Sequence, residues 1–582
     1  MRIQDQELTD RLILGIVGAL QGFVIWTLLE FGADGLTTAA FSGVLTFILV
    51  SGAIIHFVWT GRQNPRLLTI ATLVGVIYAV IAFWVALQIP ENSDMAIVAR
   101  GDQQRVGTWI VASLFSLYVL GPFLQIYQRT SVARFPYRDL FVYSWSNFHI
   151  ALVGLLFVAV LWAVLGLWAA LFRLLDIQFF ADLFSEEIFV WTVSGGAIGV
   201  GLSLGREKEK LIATLRNITL SVFGALLPLV AVVALMFIVA MPFAGLETLW
   251  DTRRASWILL SWIAYTILFI NAVYQDGNES PPYAPLVRYG VEGGLVAMIV
   301  FCALSLLGLM LRVDQHGLTP LRYTGLITTV IFAAYVLGYS LSVVRRRTEW
   351  LASIRHINLW MAPVLVAVAL LLHTPVLDPL QWSARNQYNR LVSGKADADT
   401  FDYEYLRFKL GSAGQDKLDR LKALSAHPQL DRIMAGIAEA EQAQFYERAP
   451  AKRLVEGDFT LYPQDLEWPP GLIAAIRGVM PNYFVDGAGF QQRSALVIAI
   501  DLDNQPGYEY VVFPPMSRFQ AYGFRADGSG GWKKFGTYRI AEGPQNTREF
   551  DTAVAAGRFE TTVTEYRNLI IGEQPFYLAP GN

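Results

Sequence analysis

Residues 151–172 read ALVGLLFVAVLWAVLGLWAALF, twenty-two positions without one ionisable side chain. A helix needs about 20 apolar residues to cross a hydrocarbon core of about 30 Å, so this stretch predicts a membrane span. It sits inside a longer apolar run, 140–171, and ten others recur before residue 374: 12–29, 37–59, 67–87, 107–127, 188–203, 218–241, 255–272, 289–311, 321–342 and 357–373. The run at 140–171 exceeds one crossing and must tilt or begin in the interface, while 188–203 is short and glycine-rich, so the count is eleven to within one.

The full chain of 582 residues carries 45 Lys+Arg against 48 Asp+Glu, a net charge of -3, and is 54% hydrophobic but only 16% charged. Soluble domains carry about 25% charge. Nucleic-acid binding through a basic surface is disfavoured, because the net charge supplies no phosphate-neutralising excess. The average also conceals two regimes: about 12% charged over 1–373 and about 23% over 374–582. Two solvents are implied, which divides the chain into a transmembrane helical domain, 1–373, and an extramembrane domain, 374–582.

Lys and Arg alternate along the connections, and their phase sets orientation. Sixteen fall ahead of the first span or in the even connections, among them Arg129, Arg206 and Arg216, against seven in the odd ones, including Arg105 and Arg322. The amino terminus is therefore expected in the cytoplasm of an inner-membrane protein, and an odd span count places 374–582 outside it. The first run has a basic flank, but it is too long for a signal-peptide core and no cleavage motif follows Leu29, so an uncleaved anchor is expected. Thirteen of sixteen Trp precede residue 374, and Trp59, Trp109, Trp145, Trp191 and Trp360 lie near span ends, where an interfacial belt places them.

Transport would call for ionisable groups near mid-bilayer, where burial is costly and tolerated mainly for function. No central Asp, Glu, Lys or Arg stands out. The densest polar group on a span is Trp145, Asn147 and His149. Positions 145 and 149 share a helix face and 147 does not, which favours interhelical hydrogen bonding over one converging ligand or proton site. Gly195 and Gly199 form a small-xxx-small pattern for close helix packing and not a nucleotide loop, because no strand precedes them. Pro228 and Pro363 predict kinks inside spans.

Beyond residue 373 the pattern predicts an α+β domain, helical over 374–480 and strand-rich over 481–582. Leu430, Ile433, Met434 and Ile437 mark one face of a helix, Leu418 and Leu421 another, and 380–392 and 401–410 read as helical. Strands are expected at 495–500, 508–513, 519–524, 532–540 and 558–566, between turn residues. The one cysteine, Cys302, lies in a span, so 374–582 has neither a disulfide nor thiolate metal ligands. Asp501, Asp503 and Glu509, with Asn504, could supply oxygen ligands to Ca²⁺. Gln505 and Pro506 stand where such a loop needs a ligand and a glycine, so a solvated hairpin turn is the ordinary reading. Asp465 with Glu467 could be posed as an acid/base pair, and His427 as a base, but neither has a defined partner. No cofactor is expected.

Several motifs occur in a fixed order: Ser144-Trp145-Ser146-Asn147, then Leu318-Thr319-Pro320-Leu321-Arg322-Tyr323, then Asp378-Pro379 with Ser383, Gln387, Arg390 and Leu391. Phe401-Asp402-Tyr403 and Leu406-Arg407-Phe408 follow. In these and in its architecture the chain resembles the bacterial multi-pass membrane family known as domain of unknown function 4153. That resemblance implies the topology and no catalytic residue. Three readings stay open: a non-enzymatic membrane protein presenting its outer domain for envelope assembly, sensing or partner binding; a transporter or lipid-handling protein; and a membrane-anchored enzyme acting on envelope polymers. The partners expected are the bilayer and envelope proteins or lipids, with no nucleic acid.

Overall fold

The computed structural model describes residues 2–59, 66–89, 100–245, 255–275, 283–346, 351–442, 459–463, 466–479, 495–502, 507–514, 520–528, 531–539, 556, 569–571 and 574–576. The chain divides into two compact units, Met1–Tyr446 and Glu447–Asn582. The packing boundary thus falls at 446/447, while the change of composition falls near 373. The residues between follow the bundle in their contacts and water in their composition.

Among the described residues of the first unit, eleven helices are long and apolar enough to cross a membrane. They belong to α1 (Arg2–Gly35), α2 (Thr38–Val58), α3 (Arg66–Leu87), α4 (Arg100–Thr130), α5 (Tyr137–Arg173), α7 (Glu187–Glu207) and α8 (Glu209–Ala244), with a short α6 (Phe179–Ser185) before α7. Then follow α9 (Ala255–Tyr274), α10 (Pro285–His316), α11 (Pro320–Arg346) and α12 (Leu351–Leu371). Outward-facing side chains such as Leu155 and Leu167, 63% and 72% exposed, would be costly in water and are at home in lipid. The stretch that predicted a span lies inside α5, whose 37 residues exceed one crossing. At the opposite extreme α10 is the most enclosed span, with Val291, Leu295 and Met298 fully buried against α8, α9 and α11.

Glycines explain how α7 fits between α1 and α5. A Cβ added at Gly195 would lie 2.1 Å from the Gly18 carbonyl oxygen, and one at Gly199 2.1 Å from that of Leu14. On its other side a Cβ added at Gly201 would lie 2.9 Å from the Gly154 Cα of α5. Such backbone contact is what small residues allow where no hydrophobic driving force exists between helices in lipid.

A layer of polar-faced helices completes this unit: α13 (Pro379–Val392), a π turn (Tyr405–Lys409), α14 (Gly411–Lys422) and α15 (Leu430–Gln442). Leu391, Leu406, Leu418, Leu421, Ile433 and Ile437 form its core. The segment 401–410 is helical chiefly as that single π turn, because Leu406, Phe408 and Leu410 are all buried and no one face of a regular helix could present them. Side chains of α13 finish the turn between α10 and α11. Arg390 donates to the carbonyls of Asp314 and Gln315 at 2.7 and 3.0 Å, Gln387 to those of His316 and Leu318 at 3.2 and 3.1 Å, and the Leu318 N–H donates to Asn386 at 2.8 Å. The unpaired carbonyls at the end of a long helix are thereby satisfied.

The described residues of the second unit form a five-stranded sheet in the order β1-β2-β3-β4-β5 with one helix, α16 (Leu472–Val479). Its strands are β1 (Phe459–Tyr462), β2 (Ala495–Ile500), β3 (Glu509–Phe513), β4 (Gln520–Ala526) and β5 (Trp532–Arg539). Strand β1 runs parallel to β2 and the other neighbours are antiparallel, so α16 lies on a β-α-β connection. Leu472 and Ile476 of the helix pack with Val497, Val512 and Phe524. The continuous apolar sequence of β2 reflects burial on both faces. A separate hairpin pairs β6 (Leu569–Ile571) with β7 (Gln574–Phe576). The strand expected at 558–566 lies outside the described residues. Strand β1, within the part expected to be helical, joins the sheet.

Candidate functional site

Five helix ends converge around a cavity of about 410 Å³ in the first unit. The end of α2 contributes Phe57, Val58 and Trp59, α4 contributes Gln125 and Arg129, and α5 contributes Asp139 to Ile150 on its inward face. The end of α7 supplies Gly205 and Arg206, and the start of α8 supplies Glu209, Ile212, Ala213 and Arg216. All these ends border connections of the even, lysine- and arginine-rich set. An adjoining hollow of about 810 Å³ shares Trp59, Arg129, Arg206 and Glu209 and reaches Glu7, Asp10 and the exposed Lys208 and Lys210.

The floor of the cavity is an amide pair. Gln125 donates to Asn147 Oδ1 at 3.0 Å and to the Phe57 carbonyl at 2.8 Å, and Asn147 donates back to Gln125 Oε1 at 3.0 Å. Both side chains are buried. Above them Arg216 Nη1 donates to Ser146 Oγ at 3.3 Å, Arg206 Nη1 to the Trp59 carbonyl at 3.4 Å, and Arg129 lies over the Tyr143 ring at 5.2 Å. The Nη2 of Arg206 is buried and has no hydrogen-bond partner among the described residues.

Of the polar group singled out in the sequence, Asn147 faces this cavity and the other two do not. His149 bonds the Trp145 carbonyl through Nδ1 at 2.7 Å and Thr219 through Nε2 at 3.0 Å, and Trp145 packs against Phe141 and Phe223. The helical offset between 145/149 and 147 accounts for this: one pair ties α5 to α8, the other residue ties it to α4. In the sequence Arg129, Arg206 and Arg216 mark orientation alone. Their signal was their position, each at the same-side end of a different span.

A second polar network joins spans near their other members. Asn358 of α12 donates to Tyr137 at 2.6 Å, and Asn271 of α9 donates to Tyr339 of α11 at 3.0 Å. Glu292 pairs with Arg288 one turn away, at 2.8 Å.

In the second unit, Glu509 opens β3 and its Oε2 accepts from the Leu502 N–H at 2.7 Å, so this carboxylate closes the turn that links β2 to β3. Asp501 is exposed beside it, and Asp503 and Asn504 lie outside the described residues. Among the described residues no group of three His, Cys, Asp or Glu could hold a metal ion. The His427 ring accepts from the Gln429 N–H at 3.1 Å, a local turn cap, and Asp465 lies outside the described residues.

Apolar spans, interhelical amides and a basic set of helix ends define a multi-pass membrane protein. The chain belongs to the family described as Domain of unknown function (DUF4153), whose sequence model matches residues 36–421. The match runs from α2 into α14 and so takes in ten spans and the helical layer short of α15. Its motif residues assemble the junction between the two: Arg322 Nη1 donates to the Gly317 carbonyl at 2.6 Å, and Tyr323 stacks on Trp382 with centroids 6.2 Å apart. No curated protein and no solved structure matches the chain.

Proposed function

We propose that this is a multi-pass protein of a bacterial inner membrane, with its amino terminus in the cytoplasm, which presents the unit Glu447–Asn582 outside the cytoplasm for envelope assembly, sensing or partner binding. The observation that carries the reading is the phase of the basic residues: sixteen Lys and Arg on the side of the amino terminus and seven on the other. An odd number of spans then sends the carboxy-terminal part to the opposite side. The layer formed by α13 to α15 caps the helix ends of the arginine-poor side, where Arg105 and Arg322 are already engaged in the fold.

Alkaline phosphatase, which folds only outside the cytoplasm, fused after Asn582 should be active, and a fluorescent protein that folds only in the cytoplasm should be dark there. Bright cells from the second fusion would reject the orientation and with it the presented domain.

A further inference from the structure

We propose that the cavity between α2, α4, α5, α7 and α8 binds the phosphate group of a phospholipid headgroup. Several buried or half-buried arginines of the bundle have a carboxylate partner: Arg11 pairs with Glu207, Arg288 with Glu292 at 2.8 Å, and Arg105 with Asp378 at 2.6 Å. Arg129, Arg206 and Arg216 face one cavity, and among the described residues no salt bridge joins any of them to a carboxylate; Asp10 and Glu207 act on Arg206 from the adjoining hollow, where Glu207 is paired with Arg11.

The cavity also contains Asp139 and Glu209, but both are exposed, where water screens them. Arg206 and Arg216 are half-buried and lie deeper, so the interior stays positive while the mouth carries both signs. An unpaired guanidinium withdrawn from water is costly, and a phosphate diester offsets that cost with oxygens matched to the guanidinium fork. The buried Nη2 of Arg206 is a donor in search of such an acceptor. Asn147, held by Gln125, lines the same cavity.

Position and lining favour a lipid as the source of that phosphate. The cavity lies at the ends of spans, at the depth of headgroups, and its walls include Val58, Val142, Ile150 and Ile212. Basic pockets between helices on the positive face are suited to anionic headgroups.

The test uses the full chain in detergent, with phosphatidylglycerol as the probe and native mass spectrometry as the readout. The wild type should retain the lipid, R206Q/R216Q should lose at least about tenfold in occupancy constant, and R173Q, an exposed arginine far along α5, should not change. The exposed Arg129 offers a gentler variant: R129Q removes only its stacking on Tyr143 and should lose severalfold in retention with its melting temperature within a degree or so of the wild type. Equal retention by wild type, R129Q and R206Q/R216Q would overturn the site. Inorganic phosphate is the second arm. If it raises the melting temperature of the wild type, not of R206Q/R216Q, while no lipid is retained, the cavity takes a soluble anion and the lipid source is overturned.

Discussion

Arg105, in the first turns of α4, donates from Nη1 to Oδ2 of Asp378 at 2.6 Å, and the two side chains are 4% and 2% exposed although 273 residues separate them. The other oxygen of Asp378 accepts from the Leu380 N–H at 2.9 Å, and Pro379 follows, so the carboxylate both caps α13 and fixes it to the bundle. Trp84 faces the same guanidinium at 5.7 Å. A buried pair adds little over an apolar one, but breaking it leaves a charge stranded.

Asp378→Asn keeps an oxygen for the cap and removes the charge. It should cost about 3–5 kcal/mol, read as a lower melting temperature in detergent. Adding Arg105→Gln to it should recover part of the loss; a double variant as unstable as the sum of the singles would show that the pair is not coupled.

Gly199→Leu places a side chain against the Leu14 carbonyl, whereas Gly166 of α5 has nothing within 4 Å of an added Cβ. Overpacking costs about 1–3 kcal/mol, more where backbone must move. Gly199→Leu should therefore melt several degrees below the wild type and Gly166→Leu within a degree or so of it. Equal behaviour would mean that α1 and α7 are not in backbone contact.

Tyr403 donates from its hydroxyl to the Ala398 carbonyl at 3.2 Å inside the helical layer. Burial, with smaller contributions from Asp399 and Asp397, pushes its phenol up to about 12. The folded state thus holds this proton more tightly than the unfolded chain, whose value is about 10. Its contribution to stability is full below pH 10 and is lost as pH rises toward 12, at up to about 1.4 kcal/mol per unit. Tyr403→Phe should flatten that part of the decline in urea titrations between pH 10 and 12, and an unchanged slope would contradict the assignment.

Glu509→Ala deletes the acceptor of the Leu502 N–H and should destabilise the sheet unit by about 1.5–3 kcal/mol. Millimolar Ca²⁺ should leave the melting temperature of the wild type where it was. A rise that disappears in Glu509→Ala would instead establish the metal loop.

The spans were legible because a bilayer imposes a length on apolar runs, and the run through 151–172 satisfies it without help from neighbours. Gly195 and Gly199 were legible as a packing surface but their partners were not: Gly18 and Leu14 lie far off in the chain, and one helix does not announce which other it touches. The attachment of 374–442 to the bundle was hidden for a similar reason. Its composition reports the water around it, whereas Arg105 and Asp378 report the contact, and each alone reads as an ordinary surface charge. The cavity is not legible in the sequence because Arg129, Arg206 and Arg216 belong to three different spans, and the polar group on α5 consists of residues that diverge.

The seam between α1 and α7 sets an order of events during synthesis. The first helix enters the membrane with Gly15, Gly18 and Gly22 along one side, and the backbone that covers Gly18 and Gly22 belongs to residues 187–207. At roughly 5–20 residues per second, that partner follows about ten seconds or more later. Until then four intervening spans must leave the groove vacant, so the insertion machinery or the lipid itself has to keep the first helix from settling against the wrong neighbour.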